Sequence, residues 1–289
     1  MKQTLQTALS AKNSQTSSLA QSSNISEPLH AALTAALRAS EKGREVLLHY
    51  YGRLSNVEKK HQAGLVSEAD KESEKVIFDY LRSQFPDDEF LGEESAYGHD
   101  SNLTAGDPQR RRWIVDPLDG TTNYIHQFPI FAISIAMEFQ NEIQVGVIDM
   151  PKLNETYYAV KGHGSYVNDK KMQVSSCDDI ENAFLATGFI SDFEDVISQQ
   201  LAVFSKLVRQ CRGIRRAGAA AYDLTQVARG VFDGYWERNL KPWDSAAGIL
   251  LVREAGGLVS TYAGSKYSPY DNTLVATGPK LHSKLLSFF

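Results

Sequence analysis

Apolar residues occupy every second position from Phe131 through Ile133, Ile135 and Met137 to Phe139, and the alternation resumes at Ile143, Val145 and Val147. Period two predicts two strands with one buried face each, and Gln140-Asn141 between them predicts the turn of an antiparallel hairpin, extended by a further strand over Thr156 to Val160. Elsewhere the period changes. Leu29, Leu33, Ala36, Leu37 and Leu47 recur at helical spacing behind Ser26, a candidate N-cap with Pro28 in the first turn; Gly43 is expected to weaken that helix. A second helix is expected after Ser67, burying Val76, Ile77, Tyr80 and Leu81. Phe90-Leu91 and Trp113-Ile114-Val115 read as short strands that end at acidic residues.

The second half predicts helices over Val196 to Val208, Ala219 to Ala228 and Asp244 to Glu254. Strands are expected near Val231 to Trp236, at Leu258 to Tyr262 and at Leu274 to Thr277. Helices and strands so mixed pack as layers. No repeat or long linker separates the halves.

At 289 residues and a net charge of -5, the chain can bury a sizeable core and offers no electrostatic footprint for nucleic acid or an anionic membrane. Arg110-Arg111-Arg112 and Arg215-Arg216 are expected to flank strands. No apolar run approaches the roughly 20 residues of a membrane-spanning helix. The only cysteines, Cys177 and Cys211, have no C-x-x-C spacing; they read as inert core thiols in a reducing cytoplasm. Residues 1–26 are rich in Ser, Thr, Gln and Asn and lack both arginine and an apolar stretch, which favours a disordered tail over a transit or signal peptide.

Candidate chemistry lies in three acidic blocks: Gly92-Glu93-Glu94-Ser95, Asp116-Pro117-Leu118-Asp119-Gly120-Thr121-Thr122, and Pro242-Trp243-Asp244-Ser245-Ala246-Ala247-Gly248. Each alone has a plain alternative. Glu93-Glu94 can be a solvated loop, D-x-x-D-G a surface turn, Asp244 a helix cap, and Asp70 in Ser67-x-x-Asp70 one half of a capping box. If the blocks converge, anions about 4 Å apart repel by about 4 kcal/mol at an effective dielectric near 20, which calls for bound cations or raised pKa values. Carboxylates without histidine or cysteine select hard ions, magnesium first. Gly120 would let the backbone approach a ligand, with the Gly120 and Thr121 amides opening a short helix toward phosphate.

Gly264-Ser265-Lys266 lacks the order of a P-loop, and Gly162-His163-Gly164 lacks the third glycine of a dinucleotide fingerprint. His126 is read as packed or hydrogen-bonded rather than catalytic.

The three blocks, with Trp113-Ile114-Val115 before the second and Glu254-Ala255-Gly256-Gly257 after the third, resemble the inositol monophosphatase family of magnesium-dependent, lithium-sensitive phosphomonoesterases. The likeness runs from about Leu29 to the carboxyl end. It implies an α-β-α-β-α sandwich with mixed, largely antiparallel sheets, and a single phosphatase domain over 27–289 with lobes at about 27–180 and 181–289. It implies a homodimer acting on a small phosphomonoester with two or three Mg2+ ions. Carried over by position, Glu93, Asp116 and the Leu118 carbonyl would hold one ion, Asp116, Asp119 and Asp244 a second, and Glu93 a third.

Asp70 and Thr121 would activate the attacking water, with Glu93 sharing the task. Asp119, Gly120, Thr121, Gly218, Ala219, Ala220 and Glu237 would contact substrate, Ala219 departing from members with a hydroxyl there. Inositol monophosphate is the first substrate so implied. The alternatives are histidinol phosphate, a sugar bisphosphate, a 3'-phosphonucleotide, or a regulatory binding role in which phosphatase activity is incidental.

Overall fold

The computed structural model describes residues 25–59, 65–96, 103–189 and 194–289; residues 1–24 of the expected tail lie outside these. Helices α1 (Glu27–Tyr50) and α2 (Glu68–Gln84) form the first layer. They cover a seven-stranded sheet in the order β3-β4-β5-β6-β7-β8-β9, in which β3 (Glu89–Gly92) runs parallel to β4 (Arg112–Asp119) and every other pair is antiparallel. The other strands are β5 (Ala132–Phe139), β6 (Glu142–Met150), β7 (Glu155–Val160), β8 (Ser165–Val167) and β9 (Lys170–Lys171). A small hairpin, β1 (Val57–Lys59) with β2 (Leu65–Ser67), precedes α2.

Alternation decides which residues meet which layer. Trp113, Val115, Ile133, Ile135, Val145 and Val147 turn toward Leu33, Leu47, Ile77 and Leu81 of the helices. Ile114, Ile148 and Tyr157 turn the other way, onto α6 (Ala220–Ala228) and α7 (Pro242–Glu254). Those helices are packed from the far side by Tyr235, Leu274 and Ala276 of a second sheet, ordered β11-β10-β12-β14-β13. Its strands are β10 (Phe184–Thr187), β11 (Gly213–Arg215), β12 (Gly234–Arg238), β13 (Leu258–Ser260) and β14 (Thr273–Thr277). Leu185, Trp236 and Val275 on its outer face meet Leu207, Leu281 and Leu285, from α5 (Glu194–Leu207) and α8 (Pro279–Leu286). The result is the expected α-β-α-β-α sandwich of mixed, largely antiparallel sheets. Among the described residues no helix is long and apolar enough to cross a membrane.

Several local expectations are corrected. Helix α1 continues through Gly43 without a break: a Cβ there would lie 2.8 Å from Ile133 Cδ1 and 2.9 Å from Ile77 Cδ1, so the glycine lets α1 settle close onto α2 and the sheet. The hairpin turn is at Gln140-Asn141, both with positive φ (54° and 58°). A bulge then puts Glu138 opposite Ile143 and Met137 opposite Val145, so Ile143 faces α7 while Val145 and Val147 face α1. The strand expected to begin at Val231 begins at Gly234 and carries Glu237 within it. Arg111 precedes β4 and Arg112 opens it, and they pair with Asp88 (3.0 Å) and Glu89 (3.2 Å). Cys177 and Cys211 are only half-buried, at the rim of the outer core.

Candidate active site

Strand β4 delivers the central carboxylates. Its ladder with β5 pairs Asp116 with Ser134 but Asp119 with Ala132, leaving one extra residue on the β4 side, a bulge at Pro117-Leu118. The bulge closes when the Leu118 amide donates to Asp116 Oδ1 at 2.9 Å. Asp116 (1% exposed) and Asp119 (9%) are thereby both held under the surface. Gly120 follows at φ +87° and caps the short helix α4 (Thr121–Ile125). A Cβ on Gly120 would sit 3.2 Å from Ala219 Cβ and 3.4 Å from the Gly218 carbonyl, so the loop and the Gly218-Ala219-Ala220 segment pack directly on each other.

Neighbouring elements bring in the rest. Because β3 runs parallel to β4 with Gly92 beside Val115, the next residue, Glu93, opens the short helix α3 (Glu93–Ala96) level with Asp116. Asp119 Oδ2 accepts the Ala221 amide at 2.8 Å, fixing the start of α6. Asp244, in the first turn of α7, accepts the Lys241 amide at 2.7 Å. Ser134 Oγ donates to the Trp243 carbonyl at 3.0 Å, tying that turn to β5. Close approach is possible because a Cβ on Gly146 would lie 2.9 Å from the Ala247 carbonyl oxygen, and none is present.

Asp70 both caps α2 and reaches Thr121. Its Oδ2 accepts the Ser67 amide (2.8 Å) and hydroxyl (2.6 Å) as a capping carboxylate, while Oδ1 lies 3.1 Å from the Thr121 hydroxyl. That hydroxyl is also 3.1 Å from the Leu118 carbonyl.

The electrostatics follow from burial and proximity. Burial, then the charges of Glu93, Asp119 and Asp244, hold the Asp116 carboxyl well above the usual range. Asp244 is raised likewise, by burial and then by Glu93 and Asp119. Asp119 is pushed up to about 7 by burial, against the Ala221 amide that favours its charge. Glu237 is also pushed up to about 7 by burial, opposed by the Tyr235 hydroxyl, which donates to it, and by Arg216. Gly188 lies against its carboxylate, which fills the place a Cβ would take.

Among the described residues, no group of three or more His, Cys, Asp or Glu side chains is placed to hold a metal ion. The donor set nevertheless fits a hard divalent cation. Four carboxylates from three segments perturb one another, with neither histidine nor thiolate among them.

Sequence reasoning missed Ser73, Glu74, Asn123, Asp223 and Tyr235. Asn123 Nδ2 donates at 2.8 Å to both the Ile130 and the Ala217 carbonyls and so joins the two loops. Asp223 is buried beside Glu237 and Asp119, with Oδ1 lacking a hydrogen-bond partner; burial, then their charges, raises its pKa well above the ordinary value. Only Ser73 and Glu74 left a usable trace, their helical spacing from Asp70. His126 is exposed at the end of α4 rather than packed.

The sequence pattern of the inositol monophosphatase family matches residues 29–288. Nus factor SuhB of Escherichia coli is 36% identical over 261 residues, covering 90% of this chain and 96% of that protein. Inositol-1-monophosphatase of Synechocystis is 37% identical over 265 residues, covering 91% of this chain and 88% of the relative. The crystal structure of the extragenic suppressor protein suhB from Bartonella henselae superimposes with a TM-score of 0.82 at 38% identity, covering 89% of this chain and 98% of the other. The acidic blocks, the layered sheets and the length of the match agree: this chain belongs to the inositol monophosphatase family.

Proposed function

We propose that this protein hydrolyses a small phosphomonoester, with inositol monophosphate the leading substrate, in a magnesium-dependent reaction. The observation that carries the reading is the gathering of Glu93, Asp116, Asp119 and Asp244 within electrostatic reach of one another beside the Asp70-Thr121 pair. Glu93, Asp116 and the Leu118 carbonyl would hold one ion, Asp116, Asp119 and Asp244 another, and Glu93 would help hold a third. When bound, magnesium supplies cancellation of charge on the phosphate oxygens and acidifies water.

The chain's own groups would do the remaining work. Thr121 accepts a proton from the attacking water as its hydroxyl proton passes to Asp70 Oδ1. The Gly120 and Thr121 amides bind the phosphate. Glu237, with Gly218, Ala219 and Ala220, receives the alcohol half, and a carboxylate there favours adjacent hydroxyls over a nucleotide base. A homodimer in the cytoplasm, with lobes at about 27–180 and 181–289, completes the reading.

The test is a substrate panel with purified protein and magnesium: inositol 1-phosphate, fructose 1,6-bisphosphate, histidinol phosphate and 3'-phosphoadenosine 5'-phosphate, each with and without lithium. Fastest turnover of inositol 1-phosphate, inhibited by lithium, is expected; preference for the nucleotide would remove the polyol assignment of Glu237. A second reading, a regulatory binding protein, is favoured by the name Nus factor borne by the Escherichia coli relative. Under that reading Asp116→Asn leaves the cellular role intact while abolishing phosphate release.

A further inference from the structure

One face of α2 touches three segments of the site at once. Asp70 reaches Thr121, Ser73 Oγ donates to the Pro117 carbonyl at 3.1 Å, and Glu74 Oε2 accepts the Glu94 amide at 2.9 Å. Positions i, i+3 and i+4 lie on one side of a helix, so a single turn of α2 grips the starts of α3 and α4 and the bulge of β4 together. The grip is fixed from behind by α1, because a Cβ on Gly43 would stand only 3.0 Å from Ser73 Oγ.

Within this face Glu74 is the costly member. It is 6% exposed, and burial raises its pKa against the hydrogen bond from the Glu94 amide and the nearby polar groups of Ser95, whose hydroxyl donates to the Gly92 carbonyl at 3.5 Å. Gly92 is a glycine because a Cβ there would strike the Glu74 carboxylate and come within 2.8 Å of Phe78 Cε2. A buried carboxylate is retained only where its partners compensate for lost hydration, and those partners immediately follow Glu93. A four-residue helix has little stability of its own, so the direction in which Glu93 leaves the strand depends on this anchor.

We propose that Glu74 is a positioning residue for the divalent-cation site: it touches neither ion nor substrate, and it fixes where the Glu93 carboxylate stands. The inference rests on the reading of Glu93 as a metal ligand. Partners behind a ligand commonly control affinity by about 10- to 100-fold.

The experiment titrates full-length wild type, Glu74→Gln, Ser95→Ala and Asp116→Asn with Mn2+, reading free ion by its paramagnetic resonance signal, and records metal-free thermal unfolding of the same samples. Glu74→Gln, with one acceptor oxygen in place of two, is expected to weaken Mn2+ binding by about tenfold. Ser95→Ala, at an exposed position, is expected to weaken it by about threefold without loss of fold, and decides the matter alone if Glu74→Gln does not fold. Asp116→Asn should bind little or none. Wild-type affinity in Glu74→Gln and Ser95→Ala, with Asp116→Asn silent, overturns the positioning role and leaves the site reading standing, since a merely structural glutamate would lower the melting temperature alone. Full binding by Asp116→Asn overturns both.

Discussion

The Thr121 hydroxyl stands 3.1 Å from Asp70 Oδ1 across 51 positions of sequence, while the other oxygen of Asp70 is tied to Ser67. A carboxylate already committed to a helix cap cannot swing, so it presents a fixed acceptor to the threonine. Thr121→Ala is expected to lower kcat by about 10²- to 10⁴-fold with little change in KM, and Thr121→Ser to recover much of the loss. Steady-state phosphate release from the three proteins checks this; an alanine variant as fast as wild type removes the relay.

Asp116→Asn and Asp244→Asn keep the oxygens that accept the Leu118 and Lys241 amides, so both variants should fold. Each would remove a ligand of the proposed metal site, and phosphate release is expected to fall by about three orders of magnitude or more. Each also removes a carboxyl whose ionised form is disfavoured by desolvation and by the neighbouring carboxylates. Without metal, both variants should melt at or above the wild-type temperature, by about 2 to 4 °C if 1 kcal/mol of repulsion is relieved. Calorimetry in a chelator tests the stability half, and a clear loss of melting temperature would remove the repulsion account.

Asp119 and Glu237 are each pushed up to about 7, mainly by burial. A carboxyl with a raised folded-state pKa binds its proton more tightly folded than unfolded. Its contribution to stability is therefore full below the ordinary carboxylate value near 4 and is lost as pH rises through the folded value. The metal-free protein should lose melting temperature between about pH 4 and 7 relative to Glu237→Gln, and saturating magnesium should shrink the difference. Parallel curves for the two proteins would show that Glu237 does not titrate in this range.

Gly188 lies where any side chain would meet the Glu237 carboxylate. Gly188→Ala is expected to displace that carboxylate and raise KM for a polyol phosphate by about tenfold, with turnover of a plain aryl phosphate largely kept. Comparing the two substrates on the variant isolates the alcohol pocket; equal losses on both would point to a general distortion instead.

The layers were legible because apolar periodicity is a local property. Phe131 to Phe139 announces its buried face residue by residue. What escaped depended on packing between distant segments. Gly43 looks like a helix defect until Ile77 and Ile133 are seen against it, and Ile143 shares the parity of Val145 yet faces the opposite layer because Gln144 is the extra residue of a bulge. Likewise the buried side of α2 reads as Val76, Ile77, Tyr80 and Leu81, whereas after Ala69 it runs Asp70, Ser73, Glu74, Ile77, Phe78 and Leu81. Its first half is polar because it faces the site rather than the core, and a search for apolar stripes passes over it. The acidic blocks were legible as short strings, but that Asp119 also holds the first turn of α6 required knowing which amide lies above it.

Asp244 rides on a helix enclosed by both sheets, and the second sheet is finished only by the strand ending at Thr277 of 289 residues. A nascent polypeptide still threading from the ribosome with everything beyond Glu254 unsynthesised therefore has all three acidic blocks but no finished wall to press the fourth carboxylate home. Competence for hydrolysis arrives together with the closing of the molecule, so activity in a translation reaction should lag synthesis of the acidic blocks and report completed folding.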